Sequence, residues 1–302
     1  MANARALDKR RKSIRNIRKI TRTMELIATA RFKKAMDRAA AATDYTRRIS
    51  QVVSDLASAG LEVSHPLLEP RAETNKAAML VLTANRGLCG GYNGNVLRMA
   101  VGRYRELGEL ATGGVTVDVS GKRGISGMKF RMVPTAEAYT QFDDQPKYEE
   151  VEVIANRYLE MYVAGEIDRL DVLYTRFVSV SKQEAIVETL LPLGKLEGAD
   201  NASGTSDETK GDSQRESLYE FVPSAASILE EIVPTSFKVK LFKCFLDAAV
   251  SEQISRMVAM KNATKSASDM IHSLSRTYNR ARQSQITGEI MEVISGVEAL
   301  KS

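Results

Sequence analysis

Apolar residues recur every three or four positions through the first part of the chain. They fall at Ile14, Ile17, Ile20, Met24 and Ile27. This spacing places them on one face of an α-helix. The alanines that follow are small enough to let a second backbone approach closely, and they lie at Ala28, Ala30, Ala35 and Ala39 to Ala42. We predict an N-terminal helix within residues 1–65 that ends near Gly60 and Pro66.

The last part of the chain repeats the same period in two runs. Their apolar positions are Ile271, Leu274, Tyr278, Ala281, Ile286, Ile290, Val293 and Val297. All seven prolines lie between Pro66 and Pro234, so neither end contains this helix breaker. Thr235 or Ser236 can cap a second helix within residues 235–302. We expect the two helices to bury their stripes in a long antiparallel coiled coil, with a bare helical hairpin as the simpler alternative. Polar interruptions at Asn262, Ser266 and Gln285 predict that the pairing weakens toward one end.

Residues 66–234 change to the short apolar runs of an α/β domain. The first run, over residues 77–83, precedes a glycine-rich turn at 84–94 and a helical stretch to about residue 110. We predict further strands at 115–119, 129–133, 170–180 and 185–191, and a helix over 147–162. Strands that alternate with helices indicate a Rossmann-like layer with a partly parallel sheet, so the fold class is α+α/β. Residues 198–214 are polar and Gly/Ser-rich, as expected of a flexible surface loop.

The charge of the chain is divided between its ends and its middle. Residues 1–65 carry 15 Lys and Arg against 6 Asp and Glu, and residues 235–302 carry 10 against 6. The remaining residues carry 18 against 26, so the net +5 separates into +9, +4 and −8. A basic helix attached to an acidic body predicts an acidic surround, which could be nucleic acid, anionic lipid or an acidic protein surface.

The sequence contains few patterns that support chemistry. The glycines after the first strand do not have the spacing of a dinucleotide site, and Gly121 and Lys122 lack the rest of a phosphate-binding loop. Neither His65 nor His272 lies near a nucleophile or a metal cluster in sequence. We therefore predict no catalytic residue, no metal site and no cofactor on this chain. The two cysteines, Cys89 and Cys244, are expected to pack as small apolar residues.

Three segments together resemble the γ subunit of F-type ATP synthases, over nearly the whole chain. RKITRTMEL at 18–26 is similar to the family's QKITxAMxxV start, and NRGLCGG at 85–91 to its DRGLCGG loop. The strongest block is SEQISRMVAMKNAT at 251–264, which YNRARQ at 278–283 and ITGEI at 286–290 continue. Two departures are Asn85 in place of the usual Asp, and Thr23 in place of a common Ala.

The resemblance implies a rotor shaft that couples proton flow to ATP synthesis or hydrolysis on other subunits. Its partners would be the α₃β₃ hexamer of F1, the ε subunit and the c-ring of Fo, with no nucleic acid. Contacts with the β subunits would come from Arg18, Arg22, Met24, Arg86, Gly87, Cys89, Arg282, Gln283 and Thr287. Tyr219 and Glu220 would lie toward ε and the c-ring.

The same resemblance predicts a location, and the residues leave two other classes open. No apolar run is long enough to span a bilayer, so we expect any membrane association to be peripheral. The resemblance implies that this membrane is a bacterial inner membrane and that the protein lies on its cytoplasmic side. A coiled-coil protein that binds nucleic acid would use the cluster at Lys9 to Lys12. A nucleotide-dependent α/β enzyme would use the glycine-rich turn. Binding of DNA or of nucleotide by the isolated chain would distinguish these classes from a shaft.

Overall fold

A computed structural model of the chain describes residues 4–58, 66–68, 71, 74–142, 145–193 and 225–300. Long helices stand at both ends and an α/β layer lies between them in sequence. The elements are α1 (Ala4–Ser58), β1 (Ala77–Leu82), α2 (Tyr92–Leu110), β2 (Val115–Ser120), α3 (Lys122–Phe130), β3 (Glu137–Tyr139), α4 (Tyr148–Val163), β4 (Arg169–Phe177), β5 (Gln183–Leu191) and α5 (Ala225–Ala299).

The chain divides into two compact units. The first, which we call the helical unit, contains residues 1–30, 88–90 and 254–302. The second, the α/β unit, contains residues 31–87 and 91–253. Both long helices contribute to both units, because α1 continues past residue 30 and α5 begins before residue 254.

The α/β unit is built on one five-stranded sheet in the order β3-β2-β1-β4-β5. β1 is parallel to both β2 and β4, β2 is parallel to β3, and β5 is antiparallel to β4. Ala77 of β1 is in register with Val115 of β2 and with Arg169 of β4. The prediction of a Rossmann-like layer with a partly parallel sheet is confirmed.

β1 is the centre of the sheet and faces two cores. Ala78, Leu80 and Leu82 belong to a core that includes Tyr158 of α4 and Phe237 of α5. The intervening residues pack with α2 and α3 in a second core, through Ala77, Met79 and Val81. Because both faces of the strand are covered, its sequence is continuously apolar instead of alternating.

The prediction of a strand at residues 129–133 is wrong. Residues up to Phe130 complete α3, and the next strand is β3 (Glu137–Tyr139). The alternation of Lys129, Phe130, Arg131, Met132 and Val133 imitates the period of a half-buried strand. Phe130 and Met132 are exposed, however, so this alternation does not define a core face.

The last helix begins earlier than the predicted cap. α5 starts at Ala225 and contains Pro234, and the Thr235 hydroxyl donates to the Glu231 carbonyl at 2.8 Å instead of capping the helix. A proline inside a helix loses one backbone hydrogen bond and crowds the preceding turn. Val233 and Phe237, on either side of it, are both buried in the core of the α/β unit. Packing therefore outweighs the local penalty.

Candidate functional site

Within the helical unit, α1 and α5 pack against each other in opposite directions. The hydroxyls of Thr21 and Thr264 form a hydrogen bond of 2.8 Å, and the Arg11 guanidinium lies 4.6 Å from the centre of the Tyr278 ring. Arg11 is nearer the N-terminus of α1 than Thr21, and its partner Tyr278 is nearer the C-terminus of α5 than Thr264. The two helices are therefore antiparallel. The predicted antiparallel pairing of the two terminal helices is confirmed.

The seam between these helices follows a heptad spacing on α5. Met260, Ala267 and Ile271 are buried. Four half-buried residues continue the same spacing, at Thr264, Leu274, Tyr278 and Ala281. Taken together, successive seam positions are separated alternately by four and three residues. The prediction that Asn262 and Ser266 interrupt the seam is wrong. Both side chains are exposed and lie outside it. On α1 the buried seam residues are Thr21 and Ala28.

Three of the five residues in the apolar stripe predicted on α1 face away from α5, whereas Ile14 and Met24 are half-buried. Ile17, Ile20 and Ile27 are 47%, 59% and 47% exposed, whereas the small residues Thr21 and Ala28 are buried. The stripe therefore lies beside the seam, and its periodicity indicates an amphipathic helix without identifying its partner. This gives α1 a second apolar surface, formed by Ile17, Ile20 and Ile27, that no other described residue of the chain covers.

The predicted contact residues of α1 lie on or next to this open surface. Arg18 and Arg22 are exposed, and Met24 is half-buried. The Arg22 guanidinium forms an ion pair of 2.7 Å with Glu25 on the next turn. Apolar and cationic side chains thus share the face of α1 that points away from α5. This is expected of a helix that binds a partner with an apolar surface and acidic side chains around it.

The C-terminal end of α5 is exposed on every side. Arg282, Gln283 and Thr287 are all exposed, as are the other residues from Arg282 to Leu300. The second apolar run predicted from the sequence, which is exposed here, comprises Ile286, Ile290, Val293 and Val297. Pairing weakens toward one end, as predicted, and the helix beyond it presents an apolar stripe with no covering element among the described residues.

The predicted contact residues of α1 and α5 form two separate groups. The pairs Thr21 with Thr264 and Arg11 with Tyr278 fix the register, which places Arg282 opposite the first turns of α1. Arg18 is then about 13 residues further along α1, or about 20 Å at the helical rise. A partner that contacts both groups must extend along the helices.

The loop after β1 is held by an amide side chain. The Asn85 side-chain nitrogen donates to the carbonyls of Thr140 and Phe142 at 3.1 and 2.7 Å, and its oxygen accepts from the Lys122 N–H at 3.1 Å. Arg86 is exposed and Gly87 is half-buried. The loop therefore presents Arg86 on a backbone that Asn85 holds in place.

The second half of this loop has a different character. Leu88 and Gly90 have positive φ angles of 66° and 58°, and the Cys89 side chain between them is buried. A Cβ atom at Gly90 would lie 3.8 Å from Ala259 of α5. Cys89 and Cys244 are both buried free thiols, as their predicted role as small apolar residues requires.

Two buried acidic side chains of the α/β unit are paired with arginines, and Asp118 contacts Arg157 at 3.0 Å. Asp171 contacts Arg103 at 2.7 Å and Arg169 at 2.9 Å. Burial raises the pKa of Asp118, although the Tyr158 hydroxyl, which donates to it at 2.6 Å, opposes the rise. These pairs connect neighbouring strands and helices, so they account for the buried carboxylates of Asp118 and Asp171 as parts of the scaffold.

Some predicted features lie outside the described residues. These are Tyr219, Glu220 and the loop at 198–214. In the parts of the chain that are described, no three His, Cys, Asp or Glu side chains are grouped as a metal site would require. No helix in those same ranges combines the length and the apolar character needed to cross a bilayer.

Gly121, which the sequence does not place in a complete phosphate-binding loop, has a structural role. Its φ angle is 99°, and a Cβ atom there would lie 2.1 Å from the Thr83 carbonyl oxygen. The glycine thus allows the turn from β2 into α3 to pass against the end of β1.

Comparisons with known proteins agree with this fold. A sequence model of a family described as ATP synthase matches residues 3–300. The ATP synthase gamma chain of Rhodopirellula baltica is 67% identical over 302 residues, which cover 100% of both chains. The ATP synthase gamma chain of Leptospira biflexa is 39% identical and covers 99% of this chain and 100% of its own.

Solved structures share the fold at low sequence identity. A chain in the Euglena gracilis mitochondrial ATP synthase, from a structure of OSCP, F1 and the c-ring, has a TM-score of 0.63 at 17% identity. The match covers 98% of this chain and 94% of that one. A chain from a structure of the rotor of the same enzyme has a TM-score of 0.60, also at 17% identity, over 94% and 98% of the two chains.

The paired terminal helices and the α/β layer thus define a subunit of an ATP synthase. The chain belongs to the ATP synthase gamma-chain family.

Proposed function

We propose that the chain is the central shaft of a proton-translocating F-type ATP synthase, which transmits rotation between a membrane ring and the catalytic subunits. Membership of the gamma-chain family supports this role. The solved structures with the same fold are described as the rotor, or as F1 with the c-ring, of a mitochondrial ATP synthase.

The observation that carries the proposal is the outer surface of the helical unit. α1 leaves Ile17, Ile20 and Ile27 exposed beside cations, and α5 continues for about 19 residues beyond the seam with every residue exposed. Burying such apolar surface yields about 25 cal/mol for each Å². A ring of partner subunits around these helices would supply that burial together with acidic side chains for the cations.

The proposed partners are the α₃β₃ hexamer, the ε subunit and the c-ring. Contacts with the β subunits are assigned to two groups of helical residues and to the loop after β1; these are Arg18, Arg22, Met24, Arg86, Gly87, Cys89, Arg282, Gln283 and Thr287. Cys89 is buried, so its part is to shape the loop rather than to touch a partner through its thiol. Tyr219 and Glu220 are assigned to the side of ε and the c-ring.

In this mechanism the chain acts by differential contact. A shaft with unequal sides touches each β subunit differently, and each orientation stabilises a different conformation of the neighbouring subunit. Bond formation in ATP takes place on the β subunits, so the chain needs neither catalytic residues nor a cofactor of its own. The complex holds the chain peripherally, on the cytoplasmic side of a bacterial inner membrane.

The test is to reverse the charges on α1. Arg18→Glu together with Arg22→Glu places two acids where the partner is proposed to be acidic, and repulsion should uncouple ATP hydrolysis from proton pumping. ATPase activity and proton uptake are measured in parallel on vesicles that contain the assembled synthase. Unchanged coupling would contradict the assignment of these arginines.

A matched control reverses two exposed arginines of the α/β unit. Arg98→Glu with Arg105→Glu on α2 changes the net charge equally, and neither position belongs to the proposed contacts. Coupling of ATP hydrolysis to proton pumping should survive in this variant.

Reconstitution with α and β subunits tests the role as a whole, because ATPase activity of the complex should require this chain.

A further inference from the structure

The end of α3 presents two large apolar side chains almost entirely to solvent. Phe130 is 86% exposed and Met132 is 89% exposed. Four exposed cations lie on the same short segment, and we call the whole set the α3 surface: Lys122, Arg123, Lys129, Phe130, Arg131 and Met132. Scattered exposed apolar residues are ordinary, but two neighbours of this size and exposure are not.

The backbone that carries Met132 is a helix-ending turn in which glycine is the usual residue. The Val133 N–H donates to the Met128 carbonyl and the Met132 N–H to the Lys129 carbonyl, both at 3.1 Å. These are the two hydrogen bonds of a Schellman motif, and buried Val133 and Met128 supply its hydrophobic contact. Met132 occupies the left-handed position with a φ of 59°.

A methionine at this position lowers the stability of the isolated chain. A side chain at positive φ is strained where glycine is not, and the exposed Met132 side chain gains little burial in return. Within the chain, this residue therefore has a conformational cost without a packing benefit. A side chain that binds a partner would have that benefit in the complex.

The α3 surface also has an excess of positive charge. Residues 122–132 contain four cations and no acid, although residues 66–234 as a whole have an excess of acids. Lys122, Arg123, Lys129 and Arg131 form no ion pair with any residue that the structure describes. The Arg131 guanidinium donates to the Gly127 carbonyl of its own helix at 2.9 Å, which leaves its charge without a carboxylate among the described residues.

We propose that the α3 surface binds another subunit of the assembled synthase, at an acidic surface with an apolar recess for Phe130 and Met132. This inference rests on the proposed function, because it places the partner within the same complex. Phe and Met anchors within a ring of complementary charge are typical of a protein–protein contact. Lipid is the less favoured partner for a geometric reason.

Membrane binding by a short basic segment requires an apolar helix face that can enter the headgroup region. The apolar face of α3 is not available, since Gly124 and Met128 are buried. A Cβ atom at Gly127 would lie 2.4 Å from a methyl carbon of Leu97 on α2, so the helix is packed closely against its neighbour. Only the two side chains at its end remain, which fits a recess in a protein better than a bilayer.

The experiment is photocrosslinking in the assembled synthase. A benzoylphenylalanine residue replaces Phe130 in the full chain, and in a control chain it replaces Leu110, another exposed apolar residue of the α/β unit. We expect position 130 to crosslink to one acidic subunit and position 110 not to do so. Adding Lys129→Glu and Arg131→Glu should reduce the yield at position 130 about tenfold.

Met132→Gly separates binding from folding. Glycine relieves the positive φ, so this variant should raise the Tm of the purified chain while it lowers the crosslinking yield at position 130. A merely structural role of Met132 would move both in the same direction, and that result would overturn the proposal.

Two further outcomes count against it. One is assembly of the synthase with no crosslink at position 130, or with a yield that the two charge reversals leave unchanged. The other is binding of the purified chain to phosphatidylglycerol vesicles that Lys129→Glu and Arg131→Glu abolish, which would favour a membrane. A chain that fails to assemble with α and β subunits contradicts the proposed function as well, whereas assembly without the crosslink contradicts this inference alone.

Discussion

Thr21 and Thr264 are 243 positions apart in sequence, and their hydroxyls meet at 2.8 Å between the two terminal helices. Each hydroxyl also lies close to a carbonyl of its own helix, Arg18 for Thr21 at 3.1 Å and Met260 for Thr264 at 2.8 Å. The two side chains therefore form a short polar chain across an otherwise small and apolar seam. This arrangement fixes both the direction and the register of the pair.

Replacing both threonines by valine should reveal a coupling between the helices. Thr21→Val and Thr264→Val keep the side-chain volume and remove the hydroxyls, and each alone breaks the same hydrogen bond. We expect each to lower the free energy of unfolding by about 1 kcal/mol. The double variant should lose less than the sum of the two, with a coupling of at least about 0.5 kcal/mol in urea denaturation.

A third threonine provides the control. Thr277 is exposed on α5, and its hydroxyl contacts only the Ser273 carbonyl of the same helix, at 3.2 Å, among the described residues. Thr277→Val should change the free energy of unfolding by less than about 0.5 kcal/mol. Additivity of Thr21→Val and Thr264→Val would show that the hydrogen bond does not couple the helices.

The two terminal helices and the seam face of α5 could be predicted from the sequence, since Ile271, Leu274 and Tyr278 lie in the seam, but the seam face of α1 could not. Proline distribution and apolar period are properties of one segment, and both indicated the helices correctly. The stripe through Ile17, Ile20 and Ile27 dominates that period, so it concealed the seam of Thr21 and Ala28. Small and polar seam residues leave a weak signal, and an apolar stripe does not say whether its partner belongs to the same chain.

The errors in the α/β unit have a similar cause. Residues 129–133 alternate like a strand, yet the helix that ends there is defined by hydrogen bonds and by the buried Met128. Pro234 marks a local penalty in sequence, but burial of Val233 and Phe237 outweighs it. Contacts between distant residues decided each of these cases, and a single sequence does not contain that information in local form.

Gly121 should tolerate no side chain. A Cβ atom there would lie 2.1 Å from the Thr83 carbonyl oxygen, and the φ of 99° is itself unfavourable for alanine. We expect Gly121→Ala to lower the free energy of unfolding by at least about 2 kcal/mol, through strain at this φ and displacement of β1. Thermal denaturation of the purified variant measures the effect.

Gly108→Ala is the matched substitution with the opposite sign. Gly108 lies within α2 and, apart from its chain neighbours and the backbone of the adjacent helical turns, no atom of the described residues lies within 4 Å of an added Cβ atom. Alanine should stabilise this helix by about 0.5 to 1 kcal/mol, since glycine has the greater conformational entropy in the unfolded chain. Equal effects at the two positions would show that the contact with Thr83 has no energetic role.

Asp247 should make stability depend on pH. Burial raises its pKa to about 6, Glu188 adds to the rise, and Lys243 and Arg176 oppose it. Between about pH 4 and pH 6, Asp247 is protonated in the folded chain and ionised in the unfolded chain. The free energy of unfolding therefore falls as pH rises through this window. Above it, Asp247→Asn should be more stable than the native chain by about 3 kcal/mol, and below pH 4 the two should converge.

Glu184 is the control for this titration. Its pKa is lowered by a hydrogen bond from Lys182, so its contribution is present at neutral pH and is lost as pH falls. Glu184→Gln should therefore produce a change opposite in sign to that of Asp247→Asn, and smaller because the group is exposed. Unfolding free energies of the three proteins between pH 4 and pH 8 give both trends. A constant difference between Asp247→Asn and the native chain would contradict the assignment of the proton to Asp247.

Asn85 should not be replaceable by aspartate. Its amide donates to two carbonyls, those of Thr140 and Phe142, and a carboxylate can donate to neither. A negative charge near the Lys122 N–H at the start of α3 would gain about 0.3 to 1 kcal/mol. The loss of two hydrogen-bond donors beside carbonyl oxygens costs more free energy than this gain. Asn85→Asp should therefore lower the free energy of unfolding by about 1 to 2 kcal/mol at pH 7.

Asn95→Asp, at an exposed position of α2, controls for the charge itself and should change the free energy of unfolding by less than about 0.5 kcal/mol. Equal urea midpoints for the two variants would mean that the Asn85 amide does not hold the loop.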